Sequence, residues 1–397
     1  MKRGNWQFVV LLGIVSLFAD ATYEGARGIT GPYLAWLGAS SLVVGVVVGF
    51  GEMAGYALRL GSGWLADRTG RYWALTGAGY AVNLAAVPLL AAAGRWETAG
   101  LLIVLERAGK AMRTPARDAM LSHAAAAVGR GRAFGLHEAL DQIGAVLGPL
   151  LVAWVLASRW PYRRAFLMLA VPAGLAMGAL AWARLLFPQP RELEVETPRL
   201  ATRGLPRVFW LYLAGAALFA AGYADFALLA YHFQRSTLLA DSRIALLYAA
   251  AMGLDGLAAL VLGRLYDRAG IRVLAAASLA AAPFAGLCFL GGRDLALLGL
   301  GLWAIGMGAQ ESILRAAIGD LTPPDRRASA YGSFQAAFGA SWFAGSALMG
   351  LLYGISRLAL AAFSGLVLVG AAGLFLWAGG EIKRPSPAPP HQDLPSS

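Results

Sequence analysis

Ionisable side chains sit deep inside the long apolar runs of this sequence, and their types and spacing are what could do chemistry. The first run places Asp20 and Glu24 one helical turn apart, with Tyr23 beside Glu24 and Arg27 one turn beyond Tyr23. Two carboxyl groups near one arginine read as a proton or cation site; the alternative is that Arg27 neutralises Glu24 and the set only fixes packing. A later run carries Arg107, Lys110, Arg113 and Arg117, followed by Asp118, a basic series suited to holding an anionic group. The next run holds His137, Glu138, Asp141 and Gln142, while Glu52, Asp255, Gln310, Glu311 and Arg315 are isolated polar residues, each either lining or structural. Asp225 recurs where Glu24 stands in the first half and is taken with Asp20 and Glu24 as a coupling candidate.

The string HEALD places His137 and Asp141 on one helical face, which resembles half of a zinc site. Only His123, His137, His232 and His391 are available, and none completes the pattern, so packing or proton relay stands ahead of a transported divalent cation and of an intramembrane metal enzyme. The lone Cys288 has no partner for a disulfide or thiolate site and reads as helix packing. With no phosphate loop and no nucleophile elbow, neither ATP-driven work nor catalysis is expected, and no cofactor or metal is assigned.

The elements that must position these groups follow from composition. The chain of 397 residues is 58% hydrophobic and 14% charged, with mean hydropathy +0.61, more apolar surface than one soluble core can bury, so the solvent expected is a lipid bilayer. A net charge of +11 could suggest nucleic acid, but the basic residues sit largely in gaps between apolar runs, which is a topological pattern. Helices of about 20 residues span a bilayer because only they satisfy their own backbone in lipid. Twelve are drawn, at 6–36, 41–65, 72–93, 97–123, 131–157, 163–187, 208–235, 242–265, 271–291, 295–320, 326–354 and 357–379. The basic N-terminus followed by an apolar run resembles a signal peptide, but without a convincing cleavage site it reads as the first span.

With both termini inside, 17 basic residues fall on the cytoplasmic side (Lys2, Arg3, Arg68, Arg71, Arg130, Arg132, Arg191, Arg199, Arg203, Arg207, Arg264, Arg268, Arg272, Arg326, Arg327, Lys383 and Arg384) and 8 opposite, which sets the expected orientation. The domains expected are a six-helix bundle over 1–187, a polar linker over 188–207, a second six-helix bundle over 208–380 and a disordered tail over 381–397. In this register Arg113 and Asp141 each lie ten residues from a cytoplasmic helix end, a depth at which the two could pair between helices four and five.

The halves echo each other at an offset near 200: GWLADRTG at 63–70 against GRLYDRAG at 263–270, LFADATYE at 17–24 against LFAAGYAD at 218–225, and AFG at 133–135 against AYG at 330–332. Parallel six-helix repeats imply two bundles around a cavity near the midplane. The loop with Gly63, Asp67, Arg68, Gly70 and Arg71 resembles the signature loop of the major facilitator superfamily, and Gly263, Asp267, Arg268 and Gly270 form its degenerate copy. The resemblance implies an all-α polytopic membrane protein, twelve helices in two bundles, and a cytoplasmic latch at Asp67 and Arg71, with Arg117 and Asp118 read as gate or interface residues.

Two weaker elements resemble the same family. LERAGKAM has Arg107 at the family's arginine, with Lys110 and Ala111 departing from its glutamine and glycine; GAVLGPLL, with Gly144, Gly148 and Pro149, resembles the antiporter motif without its final glycine pair and reads as a packing element. The implied function is a secondary transporter, monomeric, in the cytoplasmic membrane of a prokaryote, with a small solute and protons as partners. The expected mechanism is alternating access, with Tyr23, Arg27, Glu52, Arg107, Lys110, Arg113, His137, Glu138, Asp141, Gln310 and Glu311 as cavity candidates and an organic anion as substrate. Export of amphipathic cations, divalent metal transport, and a receptor or scaffold without flux are the alternatives.

Overall fold

The computed structural model describes residues 2–128, 130–188, 204–322 and 326–382; Arg191, Arg199, Arg203, Lys383, Arg384, His391, most of the linker and most of the tail lie outside them. The described chain is helical throughout. The first half contains α1 (Lys2–Trp36), α2 (Ser41–Thr69), α3 (Tyr72–Leu89, continued by a 3-10 turn), α4 (Trp96–Val128), α5 (Arg130–Ala157), α6 (Tyr162–Met168) and α7 (Ala170–Leu186). The second contains α8 (Arg207–Gly222), α9 (Phe226–Arg235), α10 (Asp241–Ala269), α11 (Arg272–Ala281), α12 (Phe284–Leu290), α13 (Arg293–Leu321), α14 (Arg327–Ile355) and α15 (Arg357–Ile382). Three spans are made of two helices each, α6 with α7, α8 with α9 and α11 with α12, so the fifteen helices form twelve spans.

Eleven of these are long and apolar enough to cross a membrane. The other is α4, which is long enough but carries Glu97, Glu106, Arg107, Lys110, Arg113, Arg117 and Asp118. It is placed between α2 and α3, where most of those charges turn inward.

The interrupted spans depart from the continuous helices expected at 163–187, 208–235 and 271–291. In the third, Pro283 removes a backbone donor and clashes with the preceding turn, which ends α11. In the second, the chain unwinds over Tyr223 to Asp225, and the freed groups are satisfied locally: Asp225 caps α9 by accepting from the Ala227 N–H at 3.0 Å, Trp303 Nε1 donates to Ala224 O at 2.8 Å, and Ser364 donates to Gly222 O at 2.7 Å.

The internal repeat is visible in the backbone. Helices α2 and α10 occupy the same positions 200 residues apart, and both stop at a glycine in the left-handed region, Gly70 at φ 62° and Gly270 at φ 63°. In the first half, α1 and α5 approach closely because Gly144 and Gly148 lie against the carbonyls of Leu17 and Ala21; the second half repeats this between α14 and α8, with Gly345 against Ala221.

Between the halves, α2 lies along α14 and α5 along α10. At the end of the molecule away from the termini the fit is tightest. There Gly31 meets Ala227 O, Gly45 meets Ser346 O, and the Ser41 hydroxyl donates to Gly350 O at 2.8 Å. Tyr162 adds a hydrogen bond to Asp241 and accepts one from Gln234 at 3.2 Å.

Any side chain at Gly148 must push α1 from α5, whereas a Cβ at Gly174 meets nothing within 4 Å. Gly148→Ala is therefore expected to cost about 1–3 kcal/mol and to lower the melting temperature in detergent, while Gly174→Ala leaves it unchanged or raises it. Equal effects at both positions would contradict the close α1–α5 contact.

Candidate functional site

Helices α3 and α4 come together through Gly79 and Gly109, where a Cβ would run into the facing backbone, and this approach lets Asn83 of α3 hold Glu106 of α4. Asn83 Nδ2 donates to Glu106 Oε1 at 2.7 Å. From Glu106 a line of charges crosses the protein. Arg107 Nε lies 3.4 Å from Glu106 Oε2 and 3.3 Å from Oε1 of Glu52 on α2; the same Glu52 oxygen accepts from Arg27 Nη2; Arg27 Nη1 donates to Glu24 Oε1 at 3.2 Å. Glu24 Oε2 then accepts from the Tyr248 hydroxyl of α10, in the other half. Five helices are thereby joined through polar groups, and Glu52 is the carboxylate in the middle that both arginines share.

Around this line sit Asp20, Lys110 and Arg113. Asp20 is buried on α1 within electrostatic reach of both cations. Lys110 places its ammonium 3.8 Å from the centre of the Tyr23 ring, and Arg113, only 1% exposed, stacks 4.1 Å from the centre of the Tyr80 ring. Four acids (Asp20, Glu24, Glu52, Glu106) thus face four cations (Arg27, Arg107, Lys110, Arg113), and the cluster is neutral when all are ionised.

One face of the cluster borders a cavity of about 410 Å³, within the range of small-molecule sites. It extends from Arg27, Glu52, Asp225 and Tyr248 toward the end that bears the termini, passing Arg59, Lys110, Thr114 and Asp118 on one side. The opposite wall is built by α13 and α14: Trp303, Met307, Gln310, Glu311 and Leu314 from the first, Tyr331, Phe334, Gln335, Phe338 and Trp342 from the second. Among the described lining residues every cation belongs to the first half and most of the aromatic surface to the second.

Of the residues singled out in the sequence, Arg27, Glu52, Arg107, Lys110, Asp118, Asp225, Gln310 and Glu311 line this cavity. Asp20, Tyr23, Glu24 and Arg113 stand behind the wall in the charge cluster. The pair that depth allows between Arg113 and Asp141 is not formed: the guanidinium prefers the Tyr80 face, and Asp141 lies 3.7 Å from His137, its neighbour one turn away. His137 is buried against α1, 3.3 Å from Ser16 Oγ, and Glu138 is exposed off the cavity wall, so the HEALD segment serves the α1–α5 side. Arg117 binds Asp118 beside it at 2.8 Å and Ser16 at 2.9 Å. The Arg315 side chain lies outside the described atoms.

Gly63 packs near Pro115, its Cβ position 3.6 Å from the ring, while Asp67, Arg68 and Arg71 are exposed, Arg68 resting on Trp64. In the second copy Gly263 faces open space, Asp267 and Arg268 are exposed, and Tyr266 donates to Asp320 at 2.9 Å. Sequence reasoning passed over Glu106, Asn83 and Tyr248, whose importance depends on partners far away in the chain. It also passed over Phe334, Phe338 and Trp342, although their spacing of four residues marks one helical face.

The pattern of the Major Facilitator Superfamily matches residues 11–308 and 226–396. An uncharacterised protein of Mycobacterium bovis is 45% identical over 360 residues, covering 88% of both chains. An uncharacterised MFS-type transporter of Methanocaldococcus jannaschii is 26% identical over 357 residues, covering 88% of this chain and 89% of the relative. Among solved structures, a POT family transporter in complex with a thioalcohol-conjugated peptide superposes with a TM-score of 0.77 over 95% of this chain and 96% of its own, at 13% identity, a likeness of fold.

Because Glu52 is the carboxylate shared by two arginines, its removal and theirs should not be independent. Glu52→Gln and Arg107→Gln are each expected to lower stability, and the double variant to lose less than their sum, with a coupling of about 0.5–3 kcal/mol in a thermal double-mutant cycle. Additive effects would mean the bridge carries no energy.

Proposed function

The chain belongs to the Major Facilitator Superfamily, and we propose that this membrane transporter moves a small organic anion by alternating access, coupled to protons. The anion reading rests on Lys110. Its ammonium is on the cavity wall, stacked on Tyr23, and makes no ion pair or hydrogen bond among the described residues, whereas Glu52 already holds Arg27 and Arg107. A substrate acid in the cavity can take that ammonium as its partner, with Arg59 on the same wall.

Proton coupling is supported by the buried carboxyl groups of Asp20 and Glu24 and by Asp225 at the cavity, since such groups inside a span persist where they pair or serve a path. The excess of basic residues on the terminal side, 17 against 8, supports termini in the cytoplasm. In that orientation the cavity extends toward the cytoplasm and the tight seal faces out, an inward-facing arrangement in the cytoplasmic membrane of a prokaryote. The bundles over 1–187 and 208–380 are the bodies that rock, a monomer suffices, and Asp67 and Arg71 are the latch that closes when the cavity turns outward.

Proteoliposomes holding the purified protein test this directly. Radiolabelled organic acids should accumulate when a pH gradient is imposed, a proton-carrying uncoupler should abolish the accumulation, and Lys110→Gln should reduce it by tenfold or more. Accumulation of lipophilic cations instead, lost in Glu24→Gln, would replace this reading with cation export; binding without any gradient-driven flux would make the protein a receptor.

A further inference from the structure

Three polar atoms on the aromatic side of the cavity lack partners. Gln310 Oε1 on α13, Gln335 Oε1 and Trp342 Nε1 on α14 are buried and make no hydrogen bond among the described residues. An unsatisfied buried polar atom is destabilising, so a group of three on one wall marks a place where something else supplies the hydrogen bonds. Turning either amide end for end exchanges the acceptor for a donor and leaves the need unchanged.

These atoms are set in a continuous aromatic panel. Phe334, Phe338 and Trp342 follow one another at single-turn spacing on α14; the first two stack at 5.2 Å and 24°, and Trp342 lies 5.8 Å further on. An aliphatic acid would cover the rings without stacking and leave the amides unpaired. A polyhydroxylated solute would pair the amides but meet the rings poorly. A flat ring with donor and acceptor atoms on its own edge satisfies both, because it meets the panel in the edge-to-face arrangement that aromatic pairs favour while its own polar edge reaches the amides and the indole N–H.

Resting on the organic-anion reading above, we propose that the substrate is a heteroaromatic acid: a planar ring with a hydrogen-bonding edge, bearing a carboxylate or phosphate. The ring lies against α13 and α14, its edge bonds Gln310, Gln335 and Trp342, and its acid faces Lys110 across the cavity. Carboxylate and phosphate present the same charge to that ammonium, and the choice between them is made by experiment.

Thermal shift of the detergent-purified full chain, paired with counterflow in proteoliposomes, tests the proposal with nicotinate, orotate and uridine monophosphate against benzoate, butyrate and succinate. The heteroaromatic acids should stabilise and exchange, with nicotinate favoured over benzoate at least tenfold; orotate against the monophosphate distinguishes carboxylate from phosphate. Gln335→Met keeps the volume and Trp342→Phe keeps an aromatic ring while each removes the polar atom, and each should shrink the preference for nicotinate over benzoate, read as a ratio within that variant, to threefold or less. Butyrate or succinate exchanging as well as nicotinate would overturn the ring assignment and leave organic-anion transport standing. Nicotinamide or uracil outperforming their acids would overturn both. An undiminished nicotinate preference in the two folded variants would also overturn the proposal.

Discussion

A charge carried into a membrane span must be matched where it lies, because the cost of leaving it unmatched is several kcal/mol per ion. The interior of this protein is organised around one such match, the Glu52 carboxylate held by Arg27 and Arg107. That oxygen is supplied by α2, its two cations by α1 and α4, and each cation has a further carboxylate behind it, Glu24 or Glu106. None of these pairs is replaceable alone, since removing one member strands the next. The charge-rich α4 can therefore be a spanning helix despite its hydropathy: its buried Glu106, Arg107 and Arg113 are matched by neighbours rather than by solvent.

The two halves keep the same backbone plan and use it differently. Both end their second span on a left-handed glycine and both press a glycine of the fifth span against the first. The first half keeps α1 continuous and fills its centre with ion pairs. In the second, the equivalent span breaks between α8 and α9, and aromatic groups take over the work of charge; Trp303 satisfies the Ala224 carbonyl exposed by the break and also forms cavity wall. A cavity with its cations on one side and most of its aromatic surface on the other is the consequence of that divergence, and the proposed substrate is two-sided to match.

Much of this was legible in the sequence. The twelve spans follow from hydrophobic run length, and α2 and α10 from the repeated glycine-aspartate loop, because lipid leaves a chain few choices. Their ends run a few residues past the apolar runs, to Thr69, Val128 and Ala269, since helices continue into the interfacial region. Interruptions were harder. Pro283 could have announced the break after α11, but the break at Tyr223 depends on Trp303 some eighty residues on, which local propensity does not contain. The site was legible in kind and not in partnership: Glu24, Glu52, Arg107 and Lys110 stood out as charges at membrane depth, yet the bridge at Glu52 and the resting place of Arg113 on Tyr80 depend on helix rotation. Depth alone suggested Arg113 with Asp141, and the aromatic ring was the better partner for a guanidinium whose helix turns it toward α3.

The hydrogen bond from Tyr248 to Glu24 connects this charge network to movement. It joins the cluster of the first half to α10 of the second, while the distant seal consists mainly of small residues touching backbone, with the Ser41 and Tyr162 hydrogen bonds across it. The small-residue contacts have no charge dependence and can part and re-form without leaving an ion stranded, and of the two hydrogen bonds named the one from Tyr162 involves an acid, Asp241. The Tyr248 bond also ends on an acid, but one inside the charge cluster: it is strong when Glu24 is ionised and loses its charge assistance when Glu24 takes up a proton. In the proposed cycle, protonation at Glu24 therefore loosens the tie between the halves and, at the same moment, releases Arg27 from one of its two carboxylates. A proton at one oxygen would thus act on both the packing of the halves and the cationic wall, and the only messenger required is the pair of bonds that Glu24 makes.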